Sequence, residues 1–418
     1  MVEKTLGDVA TYINGRAFKP QEWETSGRPI IRIQNLTNST QECNRTTKQF
    51  EEKYRISDGD LLFAWSASLG AHIWHGEDGW LNQHIFKVIP NESIDKIYLY
   101  YYLLYVVDQL YAKTHGSGMV HITLKPFKST RIMLPELNEQ RRVVGKIESL
   151  FAKLDEAKEK AQAVVDSFET RKAAILHKAF TGELTAKWRE EHGVGMESWE
   201  QCSLSDVCTV NPKKADTKDL PDELEVSFFP MSALSEIYGE ITDPQTRLLK
   251  EVRSGFTNFS EGDVVFAKIT PCMENGKSAV VGKLVNDIGY GTTEFFVLRC
   301  SDRLYNRFLY HLVRDKLFRD KAKAVMAGAV GQQRVPKRYL ETYKLNLPKF
   351  NEQREIVRIL DGSFAKEQQT KEAAEAVLDQ IELMKKSILA RAFRGELGTN
   401  DPNEESAVEL LKEIIRRG

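Results

Sequence analysis

The residues 276–278, Gly-Lys-Ser, have the types that end a phosphate-binding loop. Such a loop requires a glycine five residues before Gly276, and this position is Pro271. The sequence also has no G-x-G-x-x-G after a predicted strand and no Asn-Pro-Pro-Tyr-like element of the kind that amino-methyltransferases use. These patterns predict neither nucleotide binding nor methyl transfer by this chain.

Histidines and cysteines offer metal binding as a second possible chemistry. His72, His75 and His84 have no cysteine or acidic partner at ligand spacing, so we interpret them as polar residues on a strand and a loop. The cysteines are odd in number and never form a C-x-x-C pair, which predicts reduced packing residues. They are Cys43, Cys202, Cys208, Cys272 and Cys300. We therefore expect no metal site and no catalytic residue.

Polar loops that follow predicted strands are the strongest candidates for binding. Polar and basic side chains on glycine-rich loops can read base edges and contact phosphates, although ordinary solvated loops have a similar composition. The candidate DNA-binding residues of the first half are Trp65, Ser66, Ser68, His115, Ser117, His121 and Lys125. Those of the second half are Lys268, Thr270, Asn275, Lys277, Gln332, Gln333, Arg334 and Lys337.

The elements that position these loops occur twice in the chain. Four segments return: LGDV at 6–9 as LSDV at 204–207, SDGDLLFA at 57–64 as SEGDVVFA at 260–267, LPELNEQR at 134–141 as LPKFNEQR at 347–354, and ILHKAFTGEL at 175–184 as ILARAFRGEL at 388–397. The last two pairs share an offset of 213 residues, whereas the strand pair is offset by 203. The halves are therefore similar after the repeated Leu-Pro and diverge, with insertions, before it.

Each half begins with short Val, Ile and Phe-rich segments between turns, which predicts a β-rich domain, and ends in a long helical segment. The fold class is thus α+β with an internal two-fold repeat. The expected organisation is a recognition domain at 1–136, a central long helix at 137–182, a linker at 183–199, a second recognition domain at 200–349, a long helix at 350–397, and a tail with a short helix at 398–418.

An apolar stripe marks both predicted helices, which span about residues 138–180 and 351–393. We expect each to begin with an Asn at the N-cap and to end at Gly182 or Gly395. The first stripe comprises Val143, Ile147, Leu150, Leu154, Ala157, Ala161, Val164, Phe168 and Ile175, with Arg171 as its polar position. The second comprises Ile356, Leu360, Ala374, Val377, Ile381, Met384 and Ile388, and Ser363, Glu367 and Thr370 weaken its middle. Antiparallel pairing of the helices would bury both stripes and place the β-rich domains at opposite ends of a rod.

Composition agrees with a globular chain of two or three folding units. Of the 418 residues, 41% are hydrophobic and 28% are charged, and no apolar stretch approaches a membrane span. The N-terminus lacks the apolar segment of a signal peptide, so we expect a cytoplasmic protein. Because the net charge is only -1, attraction to DNA would have to come from local basic surfaces.

The sequence resembles the specificity subunit of type I restriction-modification systems. The resemblance rests on two related halves, each with Leu-Pro-x-x-Asn-Glu-Gln-Arg and a long helix closed by Ala-Phe-x-Gly-Glu-Leu, and it covers essentially the whole chain. These are scaffold motifs, so they transfer no base-contacting residue.

The resemblance implies a non-catalytic subunit whose two target recognition domains each read half of an asymmetric, interrupted DNA site. It implies long helices that set the spacing and dock two methyltransferase subunits, which modify adenine with S-adenosylmethionine. A restriction subunit that uses ATP and Mg can join the same assembly. Two other interpretations remain: a coiled-coil adaptor, which would not explain divergent loops on duplicated domains, and a nuclease with sparse acidic ligands.

Overall fold

The computed structural model describes residues 2–37, 41–112, 122–236, 239–329 and 331–398. The chain divides into unit 1, residues 1–163 and 374–418, and unit 2, residues 164–373. The expected short helix of the tail lies outside the described residues.

Unit 1 combines short strands with helices. Its strands are β1 Val2–Thr5, β2 Ala10–Asn14, β3 Arg28–Ile31, β4 Asn44–Thr46, β5 Arg55–Ile56, β6 Leu61–Ala64, β7 Gly70–Ile73, β8 Gly79–Leu81, β9 Ile85–Pro90 and β10 Arg131–Leu134. Its helices are α1 Leu6–Val9, α2 Ile33–Thr37, α3 Lys96–Ala112, α4 Leu124–Lys128 and α5 Leu137–Asp166, of which α5 continues into unit 2. Short 3-10 turns lie at Pro20–Glu22 and Glu52–Tyr54.

Unit 2 has the same kinds of elements. Its helices are α6 Phe168–Phe180, α7 Ala186–Glu191, α8 Leu249–Val252, α9 Asn306–Arg314, α10 Lys316–Ala324 and α11 Lys337–Thr342. Its strands are β11 Glu200–Ser203, β12 Cys208–Val210, β13 Glu225–Phe229, β14 Gln245–Leu248, β15 Thr257–Phe259, β16 Val264–Ala267, β17 Ser278–Val280, β18 Gly289–Gly291, β19 Phe295–Cys300 and β20 Lys344–Leu347. Helix α12, Phe350–Phe393, begins in unit 2 and ends in unit 1, and 3-10 turns lie at Glu183–Thr185, Met196–Ser198, Leu204–Asp206, Met231–Ala233 and Val285–Asp287.

The sheets of the two units have matching strand orders. In unit 1 the orders are β2-β9-β6-β7 and β4-β3-β8-β5, and in unit 2 they are β12-β19-β16-β17 and β14-β13-β18-β15. In each unit the second sheet has one parallel pair, β3 with β8 and β13 with β18. The repeat inferred from the sequence is therefore a repeat of the fold.

The repeated turn before the central strand has a simple physical basis. Gly59 and Gly262 have φ of +81° and +83°, a conformation that glycine adopts without strain. The following aspartates, Asp60 and Asp263, each accept a backbone N–H bond at 2.8 Å across the turn. The strands that follow, β6 and β16, are buried along their whole length.

The long helices do not open on an Asn N-cap as expected, because Asn138 and Asn351 lie inside their first turns. The helices start at Leu137 and Phe350, and a glutamine of the repeated Asn-Glu-Gln-Arg motif organises each start. Gln353 is fully buried; its amide donates to the Pro348 and Arg303 carbonyls, both at 2.8 Å, and its carbonyl accepts from the Tyr305 N–H at 2.7 Å. This side chain fixes the loop before α9 to the start of α12.

Unit 1 contains the same arrangement around Gln140. Its amide donates to the carbonyls of Pro135 at 2.8 Å and Ser93 at 3.0 Å, and its carbonyl accepts from the Asp95 N–H at 2.8 Å. The glutamine is therefore a structural element of the motif.

The first predicted long helix is interrupted at Ser167, between α5 and α6. Arg171 donates to the Val164 carbonyl at 3.1 Å and also bonds the Ser167 hydroxyl. A side chain thus takes a carbonyl of the last helical turn, which is a recognised cause of a helix break. The predicted glycine ends are present, with φ of +84° at Gly182 and +75° at Gly395.

Within each unit, the parts of the long helices that meet run antiparallel. In unit 1, Lys158 contacts Glu382 at 2.6 Å and Asp155 contacts Lys385 at 2.5 Å. Leu150, Leu154, Ile381 and Ile388 lie in the core of that unit. In unit 2, Leu176, Ile356 and Leu360 belong to the corresponding core.

The segment 183–199, predicted as a linker, has ordered contacts with the start of α12. Glu352, 1% exposed, accepts hydrogen bonds from Thr185 and Arg189 at 2.7 Å and from the Trp199 indole at 3.0 Å. A buried carboxylate requires such partners. The repeated glutamate of the motif is therefore the attachment point of this segment.

Candidate nucleic-acid interface

In unit 1, Trp65 lies directly after the buried strand β6 and rests on Phe86 of β9. The two rings are stacked with centroids 5.6 Å apart, and the indole N–H donates to Asn14 at 2.9 Å. The Trp65 backbone donates to the His84 carbonyl and accepts from the Ile122 N–H, both at 3.0 Å. Three segments of the chain therefore meet at this half-exposed tryptophan.

In unit 2, Lys268 occupies the equivalent place after β16. Its ammonium lies 5.6 Å from the ring centroid of Phe296 in β19. Its backbone donates to the Glu294 carbonyl and accepts from the Val335 N–H, both at 2.9 Å. The backbone hydrogen bonds of Trp65 are thus reproduced at Lys268, and a cation takes the place of the indole beside the equivalent phenylalanine.

The other candidates of unit 1 surround Trp65. Ser66 is buried, whereas Ser68 is exposed in the turn to β7. Lys125 is exposed on α4, three residues after Ile122. His115, Ser117 and His121 lie outside the described residues.

In unit 2 the candidate loops contact each other directly. Thr270 donates its backbone N–H at 3.0 Å and its hydroxyl at 3.2 Å to the Gln333 carbonyl. Gln332 is exposed, and its carbonyl accepts from Arg334 at 3.1 Å. The structure therefore brings Lys268, Thr270 and Gln333 together with Arg334.

Arg334 has a fixed orientation. Its Nε and Nη2 both lie 2.9 Å from the carboxylate oxygens of Glu294, which is a bidentate pair. Hydrogen bonding to Arg334 lowers the pKa of Glu294 below its usual value. Glu294 is in the position that His84 has in unit 1, and the matching pairs Ile85-Phe86 and Phe295-Phe296 that follow are the sequence signal that could have identified both.

Three further candidates of unit 2 are arranged differently. Lys277 donates to the Met231 carbonyl at 3.2 Å and pairs with Glu236 at 3.6 Å, so its ammonium faces its own domain. Lys337 is exposed and pairs with Glu341 along α11 at 2.9 Å. Asn275 is exposed at the far end of the same loop as Lys268.

The three histidines considered as metal ligands each have different neighbours. His72 is on β7, where burial lowers its pKa, and His84 has its ring against Trp65. His75 lies 3.5 Å from Asp58. Among the described residues, no cluster of three or more His, Cys, Asp or Glu side chains could hold a metal ion. No described helix combines the length and apolar character that crossing a bilayer requires.

The two units therefore share one backbone scaffold and differ in the side chains at equivalent loop positions. Residues 1–165 and 196–378 each match the type I restriction modification DNA specificity domain. The chain belongs to this family.

Individual relatives and solved structures agree with the match. The specificity subunit of the type I restriction enzyme EcoEI from Escherichia coli is 31% identical over 260 residues, which cover 52% of this chain and 43% of that subunit. The chain thus aligns with less than half the length of that relative. The EcoBI specificity subunit of Escherichia coli is 23% identical over 98% of this chain and 90% of its own length. The crystal structure of the HsdS subunit from Thermoanaerobacter tengcongensis has the same fold, with a TM-score of 0.58, 20% identity, and coverage of 95% of this chain and 97% of that one.

Proposed function

We propose that this chain reads a bipartite, asymmetric DNA sequence and that each β-rich domain reads one half. One observation carries this proposal: equivalent backbone hydrogen bonds hold Trp65 in unit 1 and Lys268 in unit 2. An aromatic ring and an ammonium offer different contacts to bases, so two similar scaffolds acquire different preferences. The loops around them are the proposed contact surfaces.

The partners in this proposal are double-stranded DNA and two methyltransferase subunits, with restriction and translocase subunits where the system includes them. The chain acts as a non-catalytic subunit in the cytoplasm. S-adenosylmethionine binds to the methyltransferase, and ATP and Mg bind to the restriction partner. Family membership supports this division of labour, because the matched domain is a DNA specificity domain.

The test is to map modified adenines in DNA treated with the complex of this chain and its methyltransferase. The expected result is one interrupted sequence with two unlike halves. The purified chain supplied with S-adenosylmethionine should leave the same DNA unmodified, and methylation by the chain alone would overturn the proposal.

Salt dependence provides a second measurement. Lys and Arg side chains that contact phosphates displace counterions from DNA. The affinity of the assembled complex for DNA should therefore fall by orders of magnitude between about 50 and 200 mM salt. A flat response would contradict the assignment of the basic loops to DNA.

A further inference from the structure

Unit 2 contains a cavity of about 860 Å³ bordered by α6, the first half of α12, α9 and α10. Its wall includes the rings of Phe168 and Phe364 and the cations Lys172, Arg314 and Arg319. This volume is in the range of small-molecule sites. Among the candidate DNA-binding residues that the structure describes, Asn275 alone lines the cavity, so DNA reading does not account for it.

The corresponding place in unit 1 contains a closed ion pair. Lys385 of α12 lies over the Phe151 ring, 5.2 Å from its centroid. Its ammonium is 2.5 Å from a carboxylate oxygen of Asp155. The cation there is neutralised by a carboxylate of the facing helix.

In unit 2 the cation and the ring are kept, but the carboxylate is replaced. At the constant offset of 213 residues, Lys172 corresponds to Lys385, Phe364 to Phe151, and Gln368 to Asp155. Lys172 lies 5.8 Å from the Phe364 centroid, and the carboxylate of Glu169 is 3.9 Å from its ammonium. An uncharged amide thus stands where unit 1 has the charge that holds the lysine.

A second replacement provides space beside this lysine. His311 of α9 corresponds to Tyr101 of α3, and each packs against the equivalent phenylalanine, at 5.7 Å and 5.6 Å. The imidazole is smaller than the phenol ring, and its Nε2 lies 3.1 Å from Asp361. The position of Leu104 in α3 is Arg314 in α9, which adds a cation to the wall.

The charges around Lys172 favour an anion. Burial lowers the pKa of Lys172; Glu169 opposes this effect, and the positive charges of Arg314, Lys371 and Arg319 add to it. The Asp361 carboxylate is engaged by His311 and by Arg307 at 3.0 Å. The wall also carries other carboxylates, of which Glu236, Asp320 and Glu274 pair with Lys277, Lys316 and Lys323. An anion beside Lys172 would offset the positive charges of Arg314, Lys371 and Arg319 that lower its pKa.

We propose that this cavity binds a small organic anion. Its phosphate or carboxylate takes the place beside Lys172 that Asp155 has in unit 1, and its flat apolar part packs against Phe168 and Phe364. The loop that carries Asn275 borders this site, but the proposed ligand contacts are on the helices and do not depend on DNA reading.

The experiment is calorimetric titration of the full chain with three probes of one ring size. Phenyl phosphate and benzoate carry the two anions, and benzyl alcohol has no charge. We expect saturable one-to-one binding of at least one anionic probe, with benzyl alcohol at least about tenfold weaker. The stronger of the two anions identifies the ligand class. Equal binding of all three probes, or binding of none, would overturn the proposal.

Two variants test the position of the anion. Gln368→Asp installs the carboxylate of unit 1, which should compete with the ligand for Lys172. Lys172→Met removes the cation. Each variant should weaken binding of the anionic probe at least about tenfold. Lys385→Met in unit 1 is the matched control and should leave the affinity unchanged. Circular dichroism checks that the variants are folded. Folded Gln368→Asp and Lys172→Met proteins that bind as tightly as the parent chain would place the ligand elsewhere and contradict the assignment.

Discussion

Arg171 and Glu367, the polar residues that interrupt the apolar stripes of the two long helical segments, contact each other. The guanidinium Nε donates to the Glu367 carboxylate at 2.6 Å. At the offset of 213 residues, unit 1 has Met384 and Leu154 at these positions. Two apparent defects in the sequence pattern are thus one ion pair in the structure. A charged pair in the seam disfavours shifted registers, because a shift would leave both charges without partners.

Replacing both members of this pair should cost less than replacing one. Arg171→Met alone leaves the Glu367 carboxylate in the seam without its partner, and we expect a loss of roughly 1–3 kcal/mol in the free energy of unfolding. The double variant Arg171→Met with Glu367→Leu installs the residues of unit 1 and should lie within about 1 kcal/mol of the parent. Urea unfolding of the full chain measures both values. Additive losses in the double variant would show that the pair contributes no coupling.

The glutamine that starts each long helix should be important for stability. Gln353→Ala removes three hydrogen bonds and leaves the Tyr305 N–H and the Pro348 carbonyl without this partner. We expect a loss of roughly 2–4 kcal/mol in the free energy of unfolding, since each unsatisfied buried group costs about 1–3 kcal/mol. Gln140→Ala should give a similar loss in unit 1. Exposed Gln369 provides the control, and Gln369→Ala should change stability by less than about 0.5 kcal/mol. A Gln353→Ala protein as stable as this control would contradict the role of the motif.

His311 should make the chain less stable in mild acid. Burial lowers its pKa below the ordinary 6.5, although the hydrogen bond to Asp361 opposes this shift and the charges of Arg307 and Arg314 add to it. Below about pH 6.5 the unfolded chain takes up a proton that the folded histidine does not, so the free energy of unfolding falls as the pH is lowered. Above that pH the imidazole is neutral in both states and contributes no pH dependence.

The measurement is urea unfolding at several values from about pH 7.5 down to about pH 5. His311→Tyr, which installs the residue of unit 1, should reduce the slope below pH 6.5 by up to about 1.4 kcal/mol per pH unit. His72 also has a pKa lowered by burial, so part of the slope should remain in this variant. A slope identical to that of the parent chain would show that His311 does not titrate in this way.

Arg334 is predicted to discriminate between bases through its fixed guanidinium. Arg334→Lys keeps the charge but loses the planar pair of donors, so it should weaken selectivity at one base position by about 1–3 kcal/mol, with a smaller change in overall affinity. Glu294→Gln removes the carboxylate that orients Arg334 and should have a weaker effect in the same half-site. The measurement is selection of methylated sequences from a randomised library by the assembled complex. A lysine variant with unchanged preferences would argue against base contact by this residue.

The repeat and the helix pattern made much of the fold predictable from sequence. The segments 57–64 and 260–267 identified the central strands, and the glycines at 182 and 395 identified the helix ends. The break at Ser167 was not predictable, because it depends on the Arg171 side chain, which reaches a carbonyl about two helical turns away. The role of the motif glutamine was missed because two of its three partners in each unit are more than forty residues earlier in the chain.

The surroundings of the candidate DNA-binding residues were predictable only in part. Trp65 and Lys268 follow recognisable strands, and the structure gives them equivalent surroundings. Glu294 was missed because it lies in a different loop and becomes relevant only through its pair with Arg334. Lys277 shows the opposite case, since loop composition cannot tell an exposed lysine from one that bonds a carbonyl of its own domain.

Each β-rich domain is proposed to read its own half of the DNA site. The most direct test replaces residues 1–136 with the corresponding domain of a relative that has a different target, and then maps modified adenines after methylation by the complex. One half of the recognised sequence should change to that of the relative, and the other half should be unchanged. A change in both halves, or in neither, in a folded and active complex would contradict it.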